Sequence, residues 1–465
     1  MGPPVMVKKD DRPNEFEMST NVSLERFFAA KTPDPLGHAF ARRLPMVHRG
    51  DARPVPPEKV QDVWRSLRSK QRSGKTVAYL HIPFCTSRCS FCGFYRNRSD
   101  AGTISAYVEC LINELELDAD SVAAQSGPIH AVFFGGGTPS LLSPEELFGL
   151  IAKVREILPL APDCEITVEG RVRHFPREKA VACVEAGANR FSIGVQSFDT
   201  ALRRKHGRPA SRREVISHLQ MLRDLDRAAI VCDLIYGFPN QSMNLWEDDV
   251  RTCIDLGIDG VDLYCLNLVP ESPLDIAIQR NVSPPLPPMP DRAQKYARGA
   301  AVLADAGWRQ LSNSHWAGTT RERNLYNLLV KQGAQCLAYG SCAGGYLAGH
   351  SYCIEPYLPR YMARTASGEK PIQSLSVLPD FGPAAKAIAG GLEVGHLDLR
   401  RIAANHGVDV ETAAAPLLAQ WRDAGLLEVE NGRARLTLAG RFWASNLTTG
   451  LIATASMSNR KPTSL

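Results

Sequence analysis

No stretch of the 465 residues approaches the roughly 18 consecutive apolar residues that a membrane-spanning helix requires. The opening MGPPVMVKKDDRPNEFEMST lacks the apolar core of a secretory leader, so a cytoplasmic address is the expectation. Cysteine is thin on the ground: twelve in the whole chain are too few for a disulfide scaffold. In a reducing compartment, any tight group among them reads as a metal site instead. A strong excess of one charge is also missing. The net charge of +5 falls short of a nucleic-acid-binding balance. Residues 1–75 carry 15 Lys/Arg against 9 Asp/Glu, which reads as a solvated basic surface. With 44% hydrophobic and 22% charged residues, the composition excludes a disordered chain, a coiled coil and a collagen-like fibre.

What is present is a repeat of short apolar runs separated by amphipathic stretches. The runs fall at 76–82, 129–135, 164–170, 190–196, 229–237 and 260–268. Helical patterns lie between them at 104–124, 143–158, 177–187, 211–225 and 244–257. Strand–helix alternation of this kind predicts an α/β fold in which helices cover parallel strands. Four regions are expected: an N-terminal extension over 1–72, the repeat over 73–290, a mixed α/β extension over 291–378 that completes the pocket, and a cap over 379–465. The extension contains a helix predicted over 57–70. The cap reads as three helices and a hairpin whose Asn431-Gly432 suits a type I′ turn, a winged-helix-like pattern. Because the cap is not basic, it reads as structural.

The densest chemical signal is HIPFCTSRCSFCGFY, in which Cys85, Cys89 and Cys92 follow the first strand with three and two residues between them. Three thiolates so spaced suit three corners of a [4Fe–4S] cube, each cysteine on its own iron. Phe94 stands where a fourth nearby cysteine would be, so one iron stays open to an external ligand. Zinc is the competing metal, with His81 as the fourth ligand, although a structural zinc site normally closes on a second Cys/His pair. After the second strand comes Gly135-Gly136-Gly137-Thr138-Pro139, where glycine allows close backbone approach and exposed amides. A plain tight turn is the bland alternative for the triplet. Strand alternation sets Thr167 and Glu169 on one face of the third strand, and Ser192, Gly194 and Gln196 on one face of the fourth. It places Asp233 on the fifth strand. Each buried carboxylate needs a partner, either a ligand or a core ion pair. Arg208, in KHGRP, is a candidate for pairing with one of them.

The spacing of the cysteines, with an aromatic residue before the last, resembles the radical S-adenosylmethionine (SAM) superfamily. The resemblance implies a partial (β/α)6 barrel and two cofactors, a [4Fe–4S] cluster held by Cys85, Cys89 and Cys92, and SAM chelated to the open iron. It also implies that one electron cleaves SAM to a 5′-deoxyadenosyl radical. The set YLHIPFC, GGGTP, TVEG, FSIGVQSF, HGRP and DLIYGFP, from Tyr79 to Pro239, is similar to the oxygen-independent coproporphyrinogen III dehydrogenase group. That likeness implies SAM contacts at Tyr79, Phe91, Gly136, Gly137, Thr138, Glu169, Gln196, Arg208 and Asp233, with Cys265 and Gly344 as looser matches. Tyr79 and His81, on one strand face, are the candidate catalytic pair. Phe94 departs from the dehydrogenase, and Arg323-Asn324-Leu325-Tyr326-Asn327 departs from the related heme chaperone.

CSFCGFY, PDPLGHAF, ERNLYN and AYGSCAGGYLAG look like the heme-utilisation radical SAM proteins of the HutW/ChuW family. This resemblance spans nearly the whole chain. It implies opening of heme without oxygen, with release of iron and a linear tetrapyrrole and with methylation of the product. The alternatives are coproporphyrinogen III decarboxylation and a non-catalytic heme chaperone. Implied partners are heme as substrate and a flavodoxin- or ferredoxin-type electron donor, with no nucleic acid. For heme propionates, Arg88, Arg96, Arg171 and Arg321 are candidates, each with a surface role as the default. His174, His315 and His350 are candidate axial ligands or proton donors. Cys336, Cys342 and Cys353 have gaps that fit no tight loop and are not expected to form a second cluster.

Overall fold

The structure, a computed structural model, describes residues 23–44 and 52–458. Of the expected N-terminal extension, 1–22 and 45–51 therefore lie outside the described residues. Seven parallel strands form the centre of the molecule. Six of them follow the repeat: β1 (Thr76–Ile82), β2 (Ile129–Gly136), β3 (Leu160–Gly170), β4 (Arg190–Gln196), β5 (Ala229–Tyr236) and β6 (Gly260–Cys265). They pair in sequence order, each parallel to the next. Antiparallel β7 (His315–Ala317) adds beyond β6. The seventh parallel strand, β8 (Gln335–Tyr339), comes from the second half of the chain and pairs with β1 on its other side. Antiparallel strands Gly344–Leu347, His350–Ile354 and Ile372–Val377 then extend the same sheet. The second half is thus hydrogen-bonded into the barrel sheet at both flanks.

Local chemistry explains the element ends. β1 is buried along its whole length, as a strand covered on both faces requires. Helices α1 (Ala101–Glu116), α2 (Pro144–Ile157), α3 (Arg177–Ala186), α4 (Arg212–Asp224), α5 (Met243–Asp255) and α6 (Met289–Asp305) cover the sheet. Reciprocal capping boxes, Ser143 with Glu146 and Ser211 with Glu214, start α2 and α4. Gly187 at φ 113° ends α3. The helix expected over 104–124 is shorter than its periodicity suggests. It stops at Glu116, and Ser121 caps a separate turn over Val122–Gln125. Asp118, in the break, is drawn into ion pairs with Arg68 and Lys370.

The C-terminal region holds a three-stranded sheet of His396–Asp398, Arg433–Leu436 and Leu427–Glu430. Asn431 (φ 52°) and Gly432 (φ 73°) both take the left-handed conformation that a type I′ hairpin demands. Two further helices, Leu438–Phe442 and Ala444–Ser458, follow the hairpin. Residues 23–44 strap this region to the barrel. Trp421 Nε1 donates to the Phe27 carbonyl at 3.0 Å, and Trp443 Nε1 to the Leu36 carbonyl at 2.9 Å. Gly37 sits so tightly on α6 that an added Cβ would meet Pro290 at 3.2 Å. No helix among the described residues is long and apolar enough to cross a membrane.

Candidate functional site

The C-terminal ends of the parallel strands converge on the cysteine loop. Leaving β1, the chain turns at Pro83, and residues Phe84–Cys85 pair with Asn97–Arg98. That pairing closes the loop on itself, with Ser99 N–H donating to the Cys85 carbonyl at 3.0 Å. Cys85 and Cys89 are buried and Cys92 is half-buried, and all three are free thiols. Their surroundings suit negative charge on sulfur. Arg171 Nη2 sits 3.7 Å from Cys85 Sγ and 3.6 Å from Cys89 Sγ. Arg208 reaches Cys89 from the other side. Burial pushes the Cys85 thiol up, while the Arg171 guanidinium and the Thr138 hydroxyl at 3.4 Å pull it back.

Among the described residues no three Cys, His, Asp or Glu side chains converge on a single metal ion. His81, the fourth ligand in the zinc alternative, engages the Tyr79 hydroxyl through Nδ1 at 3.1 Å. Three separated sulfurs steadied by two guanidiniums fit a cube in which each cysteine binds a different iron.

The polar lining beside the loop is under-satisfied. His81 Nε2, Thr167 Oγ1, Gln196 Oε1 and Arg208 Nε are buried without a hydrogen-bond partner. Leaving such groups unmet costs about 1–3 kcal/mol each, so this side of the barrel is built for a polar ligand. Gln196 is lifted into place by a bulge between Gly194 and Gln196, with φ 69°. Arg208 Nη1 donates to the Gly194 carbonyl at 2.8 Å. Glu169 Oε2 accepts the Gly136 N–H at 3.2 Å, and Asp233 Oδ1 accepts from Ser192 Oγ at 3.2 Å. Burial, then the neighbouring Asp233, pushes Glu169 up to about 7. Burial, then Asp262, pushes Asp233 up to about 6.

The glycine triplet acts mainly on the protein itself. Gly136 N–H goes to Glu169, and Gly137 N–H goes to the Ile82 carbonyl at 2.8 Å. A Cβ at Gly137 would lie 2.4 Å from the Phe84 carbonyl oxygen. The triplet thus lets the cysteine loop lie flat on β2, and what it offers a ligand is acceptor capacity rather than free amides. Phe91 leaves the cysteine loop to pack edge-on against Phe238, with ring centroids 5.4 Å apart.

Several candidates lie elsewhere. Arg321 is exposed and ion-paired to Asp226, before β5, at the opposite end of the barrel. Arg88 and Arg96 are exposed on the cysteine loop. His315 is buried between Asp262 and Glu322, each 3.0 Å from a ring nitrogen, and carries a structural charge rather than an open coordination position. His174 contacts Thr86 Oγ1 at 3.2 Å, and His350 Nδ1 lies 2.9 Å from the Ala348 carbonyl. Cys265 sits at the end of β6 opposite Tyr236, and Gly344 pairs with Cys353. Cys336 faces Tyr326, whereas Cys342 lies 3.6 Å from the Pro356 carbonyl and within electrostatic reach of Cys353. Arg171 had no distinguishing sequence signal beyond its place two residues after Glu169.

Comparison with known proteins gives three results. The radical SAM superfamily pattern matches residues 79–253, and the HemN C-terminal domain pattern matches residues 385–443. Anaerobilin synthase of Escherichia coli O157:H7 is 45% identical over 408 residues, covering 87% of this chain and 90% of the relative. The heme chaperone HemW of Lactococcus lactis is 30% identical, covering 59% of this chain and 70% of the relative. The oxygen-independent coproporphyrinogen III oxidase of Bradyrhizobium diazoefficiens is 32% identical, covering 58% of this chain and 62% of the relative. Among solved structures, the coproporphyrinogen III oxidase HemN of Escherichia coli superposes with a TM-score of 0.71 at 22% identity, covering 84% of this chain and 93% of that one.

Proposed function

The chain belongs to the anaerobilin synthase family of radical SAM enzymes, and from that premise we propose that it opens the heme macrocycle without oxygen, releasing iron and a methylated linear tetrapyrrole. The observation that carries this reading is the 45% identity sustained over 90% of the synthase's length. The sequence likenesses to the chaperone and the oxidase stop at about three-fifths of the chain.

Family membership brings a [4Fe–4S] cluster and SAM. Together they supply a one-electron reagent strong enough to attack an aromatic ring, through a SAM-derived carbon radical. In this reading Cys85, Cys89 and Cys92 hold the cluster, and Arg171 and Arg208 balance its negative charge. Glu169 and Asp233 would accept from the hydroxyls of SAM, with the unpartnered Gln196 Oε1 and Thr167 Oγ1 beside them. Thr138 and the backbone of Gly136 and Gly137 would accept from its ammonium, Phe91 would pack the edge of the site, and Arg208 would pair with its carboxylate.

Tyr79 and His81 are the proposed catalytic pair. Burial, then Glu169, pushes the Tyr79 hydroxyl well up, so it stays protonated. Burial, then Arg96, pulls His81 down to about 3, so the ring is neutral. Tyr79 Oη and His81 Nδ1 share a hydrogen bond at 3.1 Å, and Nε2 is buried without a partner. A flavodoxin- or ferredoxin-type protein is the proposed reductant, and a reducing cytoplasm the proposed setting for twelve free thiols.

The test is anaerobic turnover of reconstituted protein with SAM, reductant and heme, followed by absorbance and product mass. Loss of the heme Soret band, free iron and a linear tetrapyrrole carrying a SAM-derived carbon is the expected result. Intact heme with SAM cleaved would return the substrate to question, and intact bound heme without SAM cleavage would favour the chaperone.

A further inference from the structure

Two segments around the cysteine motif carry charge of one sign, whereas the loop that meets Ser90 through Leu274 carries Glu271 and Asp275. Residues 84–99 contain three arginines and no carboxylate, and residues 200–213 contain six Lys/Arg and no carboxylate. The two segments are in contact. Ser90 N–H donates to the His206 carbonyl at 3.4 Å, and Ser90 Oγ lies 2.7 Å from His206 Nδ1. A Cβ added at Gly207 would lie 3.4 Å from the Cys89 Cα.

Some of these cations are committed. Arg203 is buried on the carbonyls of Val195, Ser197 and Ala210, and Arg208 on that of Gly194. Arg212 pairs with Asp248. Arg88, Arg204 and Lys205 are different. They are exposed, and no carboxylate pairs with them among the described residues. The short helix Thr200–Lys205 turns Leu202 inward, into the cluster formed with Phe91, Phe238 and Leu266. Arg204 and Lys205 are left on its outer side. From there the path to a cysteine is short: Lys205 precedes His206, which hydrogen-bonds Ser90, which follows Cys89.

We propose that Arg88, Arg204 and Lys205 form the docking face for an acidic, low-potential electron-carrier protein. The proposal rests on the cluster assignment above. It says where the electron enters. With substrate and SAM at the barrel mouth in this reading, the reductant approaches from outside, where these cations flank Cys89 and its loop. One electron leaves the reduced carrier and reduces the oxidised cluster, with no bond made or broken. Exposed cations lacking internal partners attract an acidic surface and speed encounter more than they add affinity.

The probe is a flavodoxin carrying FMN, titrated anaerobically against reconstituted protein and followed by flavin fluorescence anisotropy. The variant is Arg204→Glu/Lys205→Glu. The control is Arg400→Glu/Arg401→Glu, exposed cations on the remote helix Leu399–His406. We expect the variant to bind at least about tenfold more weakly at low salt, with the difference collapsing near 1 M salt, where screening acts within about 3 Å. SAM cleavage driven by dithionite should match the parent protein, because a small reductant needs no docking face. Unchanged flavodoxin affinity in the variant, or an equal loss in the control, overturns the proposal. No SAM cleavage by the parent protein even with dithionite would instead sink the cluster assignment beneath it.

Discussion

Glu322→Gln is the most exacting substitution the structure suggests. Glu322 is fully buried, with Arg190 Nε at 2.9 Å and His315 Nε2 at 3.0 Å, and His315 in turn meets Asp262 at 3.0 Å. Two cations and two carboxylates are thus locked inside the barrel at 0–3% exposure. Asp262 and Glu322 overcome the desolvation of His315 and push it up to about 9, while Arg190 and His315 hold Glu322 down at about 2. Each shift corresponds to about 3 kcal/mol of mutual stabilisation, and both describe the same interactions, so they do not add. Removing one charge strands Arg190 and leaves His315 with Asp262 alone, and a broken buried pair costs about 3–5 kcal/mol. The assay is urea unfolding of parent and variant from pH 4.5 to 9.5. His315 titrates higher folded than unfolded, so its contribution is complete below its ordinary value near 6.5 and is lost as pH rises through about 9. Glu322 titrates lower folded, so its contribution is present above about 4.5 and is lost as pH falls towards about 2. The parent's advantage should therefore peak between about pH 4.5 and 6.5 and shrink towards pH 9. A difference under about 1 kcal/mol, or one flat with pH, would refute the reasoning.

Cys89→Ala should abolish both cluster retention and SAM cleavage, and a variant with full iron content and turnover would contradict the assignment. Asp233→Ala should weaken SAM binding with iron content intact, as calorimetry would read. In the parent protein, SAM affinity should fall as pH drops from about 7 to 6, because Glu169 and then Asp233 take up protons and lose their charge. Gly137→Ala should cost about 1–3 kcal/mol, since its Cβ meets the Phe84 backbone, and should reduce the iron retained after reconstitution.

The six β/α repeats were legible because strands buried on both faces read as unbroken apolar runs, and β1 and β4 match their runs at both ends. β8 was not legible as a barrel strand. Nothing in QCLAY announces that it pairs with β1 some 260 residues earlier, since partner choice is a tertiary matter. The cysteine loop was legible because short-range spacing encodes it. Arg171 beside two of its sulfurs was not, because a cation's role depends on where its fork lands. The four buried charges behave alike: Arg190, Asp262, His315 and Glu322 come from three strands and a loop, and only the register opposing Asp233, Asp262 and His315 brings three such groups to one level. The helices after Asn431-Gly432 escaped notice because LTLAGRFW continues the hairpin's alternation before turning helical.

The strap formed by residues 23–44 has a consequence for how the protein is made. Its hydrogen bonds to Gln420, Trp421 and Trp443 join residues 391, 394 and 407 positions apart. At roughly 5–20 residues per second, translation leaves Phe27 and Leu36 waiting about 20 to 80 seconds for the tryptophans that receive them. Contacts of such sequence separation close late and slowly. The strap therefore closes after the barrel strands have been made, and until then its apolar side chains are exposed to aggregation. Cutting the chain before Trp443 would leave the strap without its seat, and growth would then yield an aggregating protein even though every cysteine and carboxylate of the site was in place.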